Sequence, residues 1–241
     1  MQIVIIGHGR MGQAIENAAL ELDVPVSKII KDYDELKNYH FTSSDVAIEF
    51  TTPNSCLNNL KFLAQNGIPT VCGTTGWYEN LDQIKSLILK NNSALIYGAN
   101  FSIGVHLFWK TAAESAKIFD KVPMYDISVH ERHHQNKKDA PSGTAKKTAE
   151  ILIENLKRKN NFIVENSEEH IIDTDSIRLT YSREGDLMGR HNIKFDSEID
   201  TIEISHTSKG RKGYALGSIE CAKWIHNRKG LFSIDDYLKT I

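Results

Sequence analysis

Apolar residues in the first hundred positions come in short runs separated by amphipathic stretches. Ile3 to Ile6, Val26 to Ile30, Asp45 to Phe50, Thr70 to Cys72 and Ala94 to Tyr97 read as strands. Between them Gln13 to Leu22, Leu57 to Asn66 and Leu81 to Lys90 read as helices. Strands alternating with helices predict a doubly wound parallel sheet, an α/β arrangement. After Asn100 the pattern changes. Ile103 to Phe119 reads as one long helix, with Leu107, Trp109 and Ala112-Ala113 as its apolar markers. Tyr125 to His130 alternates like a strand, and Ala145 to Leu156 reads as a helix. Strand-like runs are then grouped at Ile177 to Ser182, His191 to Phe195 and Thr201 to His206, before a last helix from Tyr214 to His226. Grouped strands predict a second, α+β region with an open mixed sheet, and an apolar exposed face on it would suit oligomer formation. Lys157 to Asn161 reads as a polar surface connection. Arg183 to Asp186 and Gly189 to His191 read as charged hairpin turns.

Composition narrows the class without choosing a function. The chain is 40% hydrophobic and 25% charged, with a formal net charge of -2, which gives no reason to expect a nucleic-acid or membrane partner. No apolar segment approaches the roughly 18 residues of a bilayer span. The three cysteines, Cys56, Cys72 and Cys221, form neither a zinc pattern nor a disulfide framework. Together with the lack of a basic, apolar leader they predict a cytoplasmic protein.

Candidate chemistry lies in two places. Gly7-His8-Gly9-Arg10-Met11-Gly12 directly follows the first strand and opens a helix, the context in which G-x-G-x-x-G binds a dinucleotide. A Rossmann-like unit is the expectation, with NADH or NADPH as cofactor. Gly73-Thr74-Thr75 and Gly98-Ala99-Asn100-Phe101 follow later strands and would join the same lining. Lys31 and Asp32 close the second strand about 20 residues past Gly12, where an acid holds the ribose 2′-OH of NAD and a base the 2′-phosphate of NADP. One of each is present, so the preference stays open.

The second place is His130-Glu131-Arg132-His133-His134-Gln135-Asn136-Lys137-Lys138-Asp139-Ala140-Pro141-Ser142-Gly143-Thr144-Ala145. Histidine titrates near neutral pH and lysine can donate a proton. Ser142-Gly143-Thr144 offers a cap and free N–H groups at a helix start, a cradle for a carboxylate. A metal site from His130, His133 and His134 is a weaker alternative, lacking a well-spaced acidic ligand. Arg211 would either reach a substrate carboxylate or sit as a solvated base.

These motifs, in this order, resemble the 4-hydroxy-tetrahydrodipicolinate reductase (dihydrodipicolinate reductase) family of lysine and diaminopimelate biosynthesis. The resemblance rests on Gly7 to Gly12, Gly73-Thr74-Thr75-Gly76, Ala99 to Val105, and above all His133-His134-x-x-Lys137-x-Asp139-Ala140-Pro141-Ser142-Gly143-Thr144-Ala145. It implies His133 and Lys137 as catalytic residues. His134, Ser142, Gly143 and Thr144 would hold a small dicarboxylate substrate. It further implies a homotetramer, a cofactor domain of residues 1–102 plus 213–241, and a substrate and oligomerisation domain of 103–212. Three features depart from longer members of the family. The segment between the second and third strands is short, Lys31 and Asp32 reverse the usual order of acid and base, and Lys138 replaces an aliphatic residue.

Overall fold

The computed structural model describes residues 1–165 and 174–241. They form two compact units, Met1–Ile103 with Arg211–Ile241, and Gly104–Gly210. In the first unit, β1 (Gln2–Ile6), α1 (Arg10–Glu21), β2 (Val26–Ile30), α2 (Tyr33–Asn38), β3 (Asp45–Glu49), α3 (Pro53–Gln65), β4 (Thr70–Cys72), α4 (Leu81–Lys90) and β5 (Ala94–Tyr97) follow one another. The C-terminal segment adds α7 (Lys212–Ile225), β11 (Gly230–Ser233) and α8 (Ile234–Leu238). All six strands are parallel, in the order β11-β5-β4-β3-β1-β2.

Strand alternation divides the core. Ile3, Ile5, Val46 and Ile48 point to a layer with Ile15 of α1 and Ile219 of α7. Val4, Ile6 and Ala47 point the other way, toward Leu63 of α3 and Leu36 of α2. Each fully buried Ile or Leu contributes about 1.5–3 kcal/mol relative to exposure. A Cβ on Gly217 would lie 1.8 Å from the Phe101 carbonyl oxygen, so α7 reaches this chain segment only because that position is glycine. Strand order reverses between β1 and β3, and ligands of such sheets gather beyond the strand C-termini at that switch point.

The second unit holds α5 (Ile103–Phe119), β6 (Asp126–His133), α6 (Gly143–Glu154), β7 (Asn161–Glu165), β8 (Ser176–Arg183), β9 (Gly189–Asp196) and β10 (Thr201–Ser208). Its sheet runs β10-β9-β6-β8-β7, with β6, β8 and β7 parallel and β9 and β10 antiparallel to their neighbours. One face packs Ile127, Val129, Leu179, Ile193 and Phe195 against Ala112 and Ala116 of α5 and Ala149 and Leu152 of α6. The mixed sheet is as expected, but its other face is not apolar. Ser128, His130, Arg132, Arg178, Thr180, Arg190, Asn192 and Lys194 lie there, exposed or half-buried.

Two sequence expectations fail in this unit for topological reasons. The 184–188 connection is no hairpin, because β6 lies between β8 and β9. It crosses the end of β6, where His134 N–H donates to Leu187 O (2.8 Å) and Glu184 N–H to His133 O (2.9 Å). Gly189 and His191 therefore belong to a buried strand, not a turn.

The 157–161 segment is also no simple surface connection. Lys159 is only 3% exposed, and its Nζ donates to Asp126 Oδ1 (2.8 Å), Thr174 O (2.8 Å) and Ser176 O (3.0 Å). Replacing Lys159 with Met would leave both carbonyls without this donor, and an expected stability loss of about 3 kcal/mol follows. Chemical denaturation would read it as a lower midpoint with an unchanged slope. A midpoint within error of wild type would refute the bridge's contribution.

Candidate active site

Beyond the C-termini of β1 to β4 lie two clefts that share Gly9, Phe50 and Thr51. The larger, about 500 Å³, is also lined by Lys31, Asp32, Tyr33 and the polar first turns of α3, including Asn54, Ser55 and Asn58. The smaller, about 330 Å³, is lined by Arg10, Met11, Gly73, Thr74 and Thr75 as well. The glycines of the first turn divide by cause. Gly7 has φ +91° and a Cβ there would lie 2.2 Å from Phe50 O, while one on Gly12 would lie 2.1 Å from Gly7 O. Both are required by backbone packing. A Cβ on Gly9 would meet nothing within 4 Å, so packing within the fold does not require that glycine, and the space beside it is open to a ligand. No side chain caps α1, which leaves its first N–H groups for an anion. These residues fit a dinucleotide pyrophosphate.

Several of the predicted cofactor residues also make contacts within the unit. His8 Nε2 is paired with Glu16 Oε2 at 2.7 Å. Thr74 Oγ1 accepts from Thr51 N–H (2.8 Å), tying two strand-end turns together. Gly98, Ala99, Asn100 and Phe101 line neither cleft. Phe101 is core, 1% exposed, with its ring 6.0 Å from that of Phe50. Asp32 caps α2, accepting from Glu35 N–H at 2.9 Å. The apolar period that predicts a helix from Leu57 leaves out Asn54 and Ser55, which lie in the first turn of α3. Under the larger cleft, buried Glu49 accepts from Asn59 Nδ2 (3.3 Å) and from Thr51 Oγ1, and faces Cys56 Sγ (3.3 Å).

In the second unit the alternation of β6 puts Glu131 and His133 on the buried face and His130 on the opposite one. His130 Nδ1 bonds Thr180 Oγ1 (2.8 Å), so His130, His133 and His134 do not converge on a metal. Glu131 is fully buried. Its Oε1 accepts from Ser142 N–H (2.9 Å) and from Arg183 Nη2 (2.7 Å). Its Oε2 lies 3.4 Å from Nε2 of both His133 and His191. Burial alone would push this carboxyl up, but hydrogen bonds from His133, His191, Ser142 and Arg183 outweigh it and hold it well below the usual carboxylate range.

Both ring nitrogens of His133 are engaged inside the fold. Nδ1 donates to Met188 O (2.9 Å), and Nε2 is 3.4 Å from His191 Nε2. A Cβ on Gly189 would lie 2.5 Å from His133 Cε1, so that glycine makes room for the ring. Lys137 differs. Its Nζ is held by both oxygens of Asp139, at 2.8 and 2.9 Å, and the Asp139 side chain is 61% exposed. At the start of α6 the Ser142 side chain accepts from Ala145 N–H (3.2 Å). The first-turn N–H groups of Gly143 and Thr144 have no intrahelical acceptor, and a Cβ on Gly143 would meet nothing within 4 Å. Glu131, Arg183 and His191 were not among the predicted site residues. Glu131 stood within the histidine segment, two positions before His133 on the same strand face, which is the signal that was available. Arg183 and His191 gave none, because their proximity depends on sheet order.

A parallel six-stranded sheet with a glycine turn at its switch point is a nucleotide-binding arrangement, and the second unit carries a buried imidazole–carboxylate cluster at a helix start. Family models for the two halves of one enzyme match nearly the whole chain. The model described as dihydrodipicolinate reductase, N-terminus, covers residues 1–101, and the one described as dihydrodipicolinate reductase, C-terminus, covers residues 104–238. A 4-hydroxy-tetrahydrodipicolinate reductase of Christiangramia forsetii is 33% identical over 100% of this chain and 99% of its own length. One from Methanococcoides burtonii is 35% identical over 90% of this chain and 81% of its own. A dipicolinate-bound dihydrodipicolinate reductase from Paenisporosarcina sp. TG-14 superposes with a TM-score of 0.75 at 26% identity, over 97% of each chain. The chain belongs to the dihydrodipicolinate reductase family, whose members are NAD(P)H-dependent oxidoreductases.

Proposed function

We propose that the chain reduces (2S,4S)-4-hydroxy-2,3,4,5-tetrahydrodipicolinate to (S)-2,3,4,5-tetrahydrodipicolinate with loss of water, using NADH or NADPH. The observation that carries the site assignment is the start of α6, where Ser142 joins two N–H groups without intrahelical acceptors to the Glu131–His133–His191 cluster. When bound, the nicotinamide supplies the hydride. Gly7, Gly9, Arg10, Met11, Gly73 and Thr75 would hold the cofactor's phosphates and its nicotinamide side, and Lys31 and Asp32 its ribose. Gly143 and Thr144 N–H groups take one substrate carboxylate, and His134 assists. Lys137 supplies the proton that completes the reduction, since its ammonium is held only by exposed Asp139 among the described residues. His133, with both ring nitrogens engaged within the fold, would act by positioning the substrate rather than by donating the proton.

The same reading carries a cytoplasmic location and an assembly of four copies. Family membership supports both.

The test follows reduced-nicotinamide absorbance while the substrate is generated in place from pyruvate and aspartate semialdehyde by its synthase. NADH and NADPH are run side by side, with Lys137→Ala as control. Oxidation that requires the synthase and fails in the variant is expected, and the ratio of rates assigns the part of Lys31 and Asp32. No oxidation by folded protein that still binds either cofactor would overturn the proposal.

A further inference from the structure

No metal-binding spacing joins Glu49, Cys56 and Cys72 in the sequence; the fold brings them together. Glu49 ends β3, Cys56 lies near the start of α3 and Cys72 ends β4. All three are 0% exposed. Cys56 Sγ is 3.5 Å from Cys72 Sγ, and Glu49 Oε2 is 3.3 Å from the first sulfur and 3.5 Å from the second. The other carboxylate oxygen is used differently. Oε1 accepts from Asn59 Nδ2 (3.3 Å) and from Thr51 Oγ1. These two donors fix the carboxylate and leave Oε2 aimed at the sulfurs, as hydrogen bonds from an outer shell orient a metal-binding carboxylate.

Charge and shape set this cluster apart from ordinary packing. Glu131, the other fully buried glutamate among the described residues, is matched by Arg183. Glu49 has no lysine, arginine or histidine beside it among the described residues, only a hydroxyl, an amide and two thiols. Thiols are weak donors, and buried carboxylates are normally paired with a cation or coordinate a metal. The shape fits the second case. Around tetrahedral zinc, thiolates stand about 3.8 Å apart and a thiolate and a carboxylate oxygen about 3.5 Å apart. The observed triangle is within about 0.3 Å of those edges on every side. Thr74 O, 3.6 Å from Cys72 Sγ, can supply a fourth ligand.

We propose that Glu49, Cys56 and Cys72 bind a soft divalent cation, zinc by the ligand set, which pins β3, α3 and β4 together behind the larger nucleotide cleft. Thr51 and Asn59 line that cleft, so the ion would brace its wall from inside. Burial, then contact with Cys56, holds the Cys72 thiol well above its ordinary range. The ion therefore enters by displacing protons: two S–H bonds break, two metal–sulfur bonds form, and two protons pass to solvent.

Producing the chain in medium supplemented with Co2+ tests the proposal, because the ion is then present while the buried site folds. One cobalt per chain is expected, with a near-ultraviolet sulfur-to-cobalt charge-transfer band that Zn2+ abolishes. The nitrogen and oxygen atoms of the Glu131 cluster cannot give that band. Cys56→Ser and Cys72→Ser should each weaken it, and the double variant should lose it. Glu49→Gln should keep the band but bind cobalt about tenfold or more weakly. Cys221→Ser, whose sulfur lies in a different part of the core, should leave it unchanged. Zn2+ should raise the thermal unfolding midpoint of wild type and not that of the double variant. If the serine variants fail to fold, the wild-type spectrum and its loss on adding Zn2+ still decide. Wild-type protein without the sulfur-to-cobalt band, or a band that survives in the double variant, would overturn the proposal and leave two thiols donating to a buried carboxylate.

Discussion

Lys137→Ala is expected to lower kcat/KM by about 100- to 10,000-fold, the usual contribution of a positioned proton donor. On the proposed reading the side chain would supply both a proton and a positive charge, so binding and chemistry should suffer together. In the free protein its ammonium is clamped between both oxygens of Asp139. A substrate carboxylate entering the site would therefore compete with Asp139 for it, and the exposed aspartate can move aside. Steady-state kinetics with NADH and NADPH would show the loss with either cofactor, because Lys137 lies in the second unit and not in the nucleotide clefts. Cofactor affinity, read by fluorescence titration, should stay within about twofold, since only contacts with the nucleotide change it. A variant retaining more than a tenth of wild-type kcat/KM would transfer the donor's part to another group.

The second large effect separates two glycines of one motif. Gly12→Ala places a methyl 2.1 Å from the Gly7 carbonyl oxygen, a backbone atom that cannot swing away. Helix α1 must lift from β1, at an expected cost of about 3 kcal/mol or more, with cofactor binding lost as well. Gly9→Ala meets no protein atom within 4 Å, and its stability should stay within about 1 kcal/mol of wild type. Its methyl instead occupies the space through which the pyrophosphate approaches, so cofactor Kd should rise at least about tenfold. Thermal denaturation and titration on the same samples distinguish the two. Unaltered cofactor affinity in Gly9→Ala would place the pyrophosphate elsewhere.

The first unit was legible because its information is local. Short apolar strands, helical periodicity and the glycine turn all lie within a few residues of one another, and β1, β2, β4 and β5 run close to where the pattern put them. Short or late elements were not legible. Helix α2 has only one buried residue, Leu36, and β11 is half-buried throughout, so neither leaves a clear hydrophobic period. Strand β7 followed a segment whose polarity suggested solvent, although Lys159 within that segment is buried by its three acceptors.

By itself the sequence determined the two kinds of sheet, the nucleotide turn, the capped start of α6 and the family to which the chain belongs. Each depends on side-chain order along the chain. Only the tertiary structure decided that β6 lies between β8 and β9, and with it that Arg183 and His191 meet Glu131, 52 and 60 positions earlier in the chain. Strand order is set by which buried faces pack together, a long-range property that no local spacing records. The glycines make the same point: Gly7, Gly9 and Gly12 look alike in the motif, and only the atoms around them show which ones the fold requires and which one it leaves free.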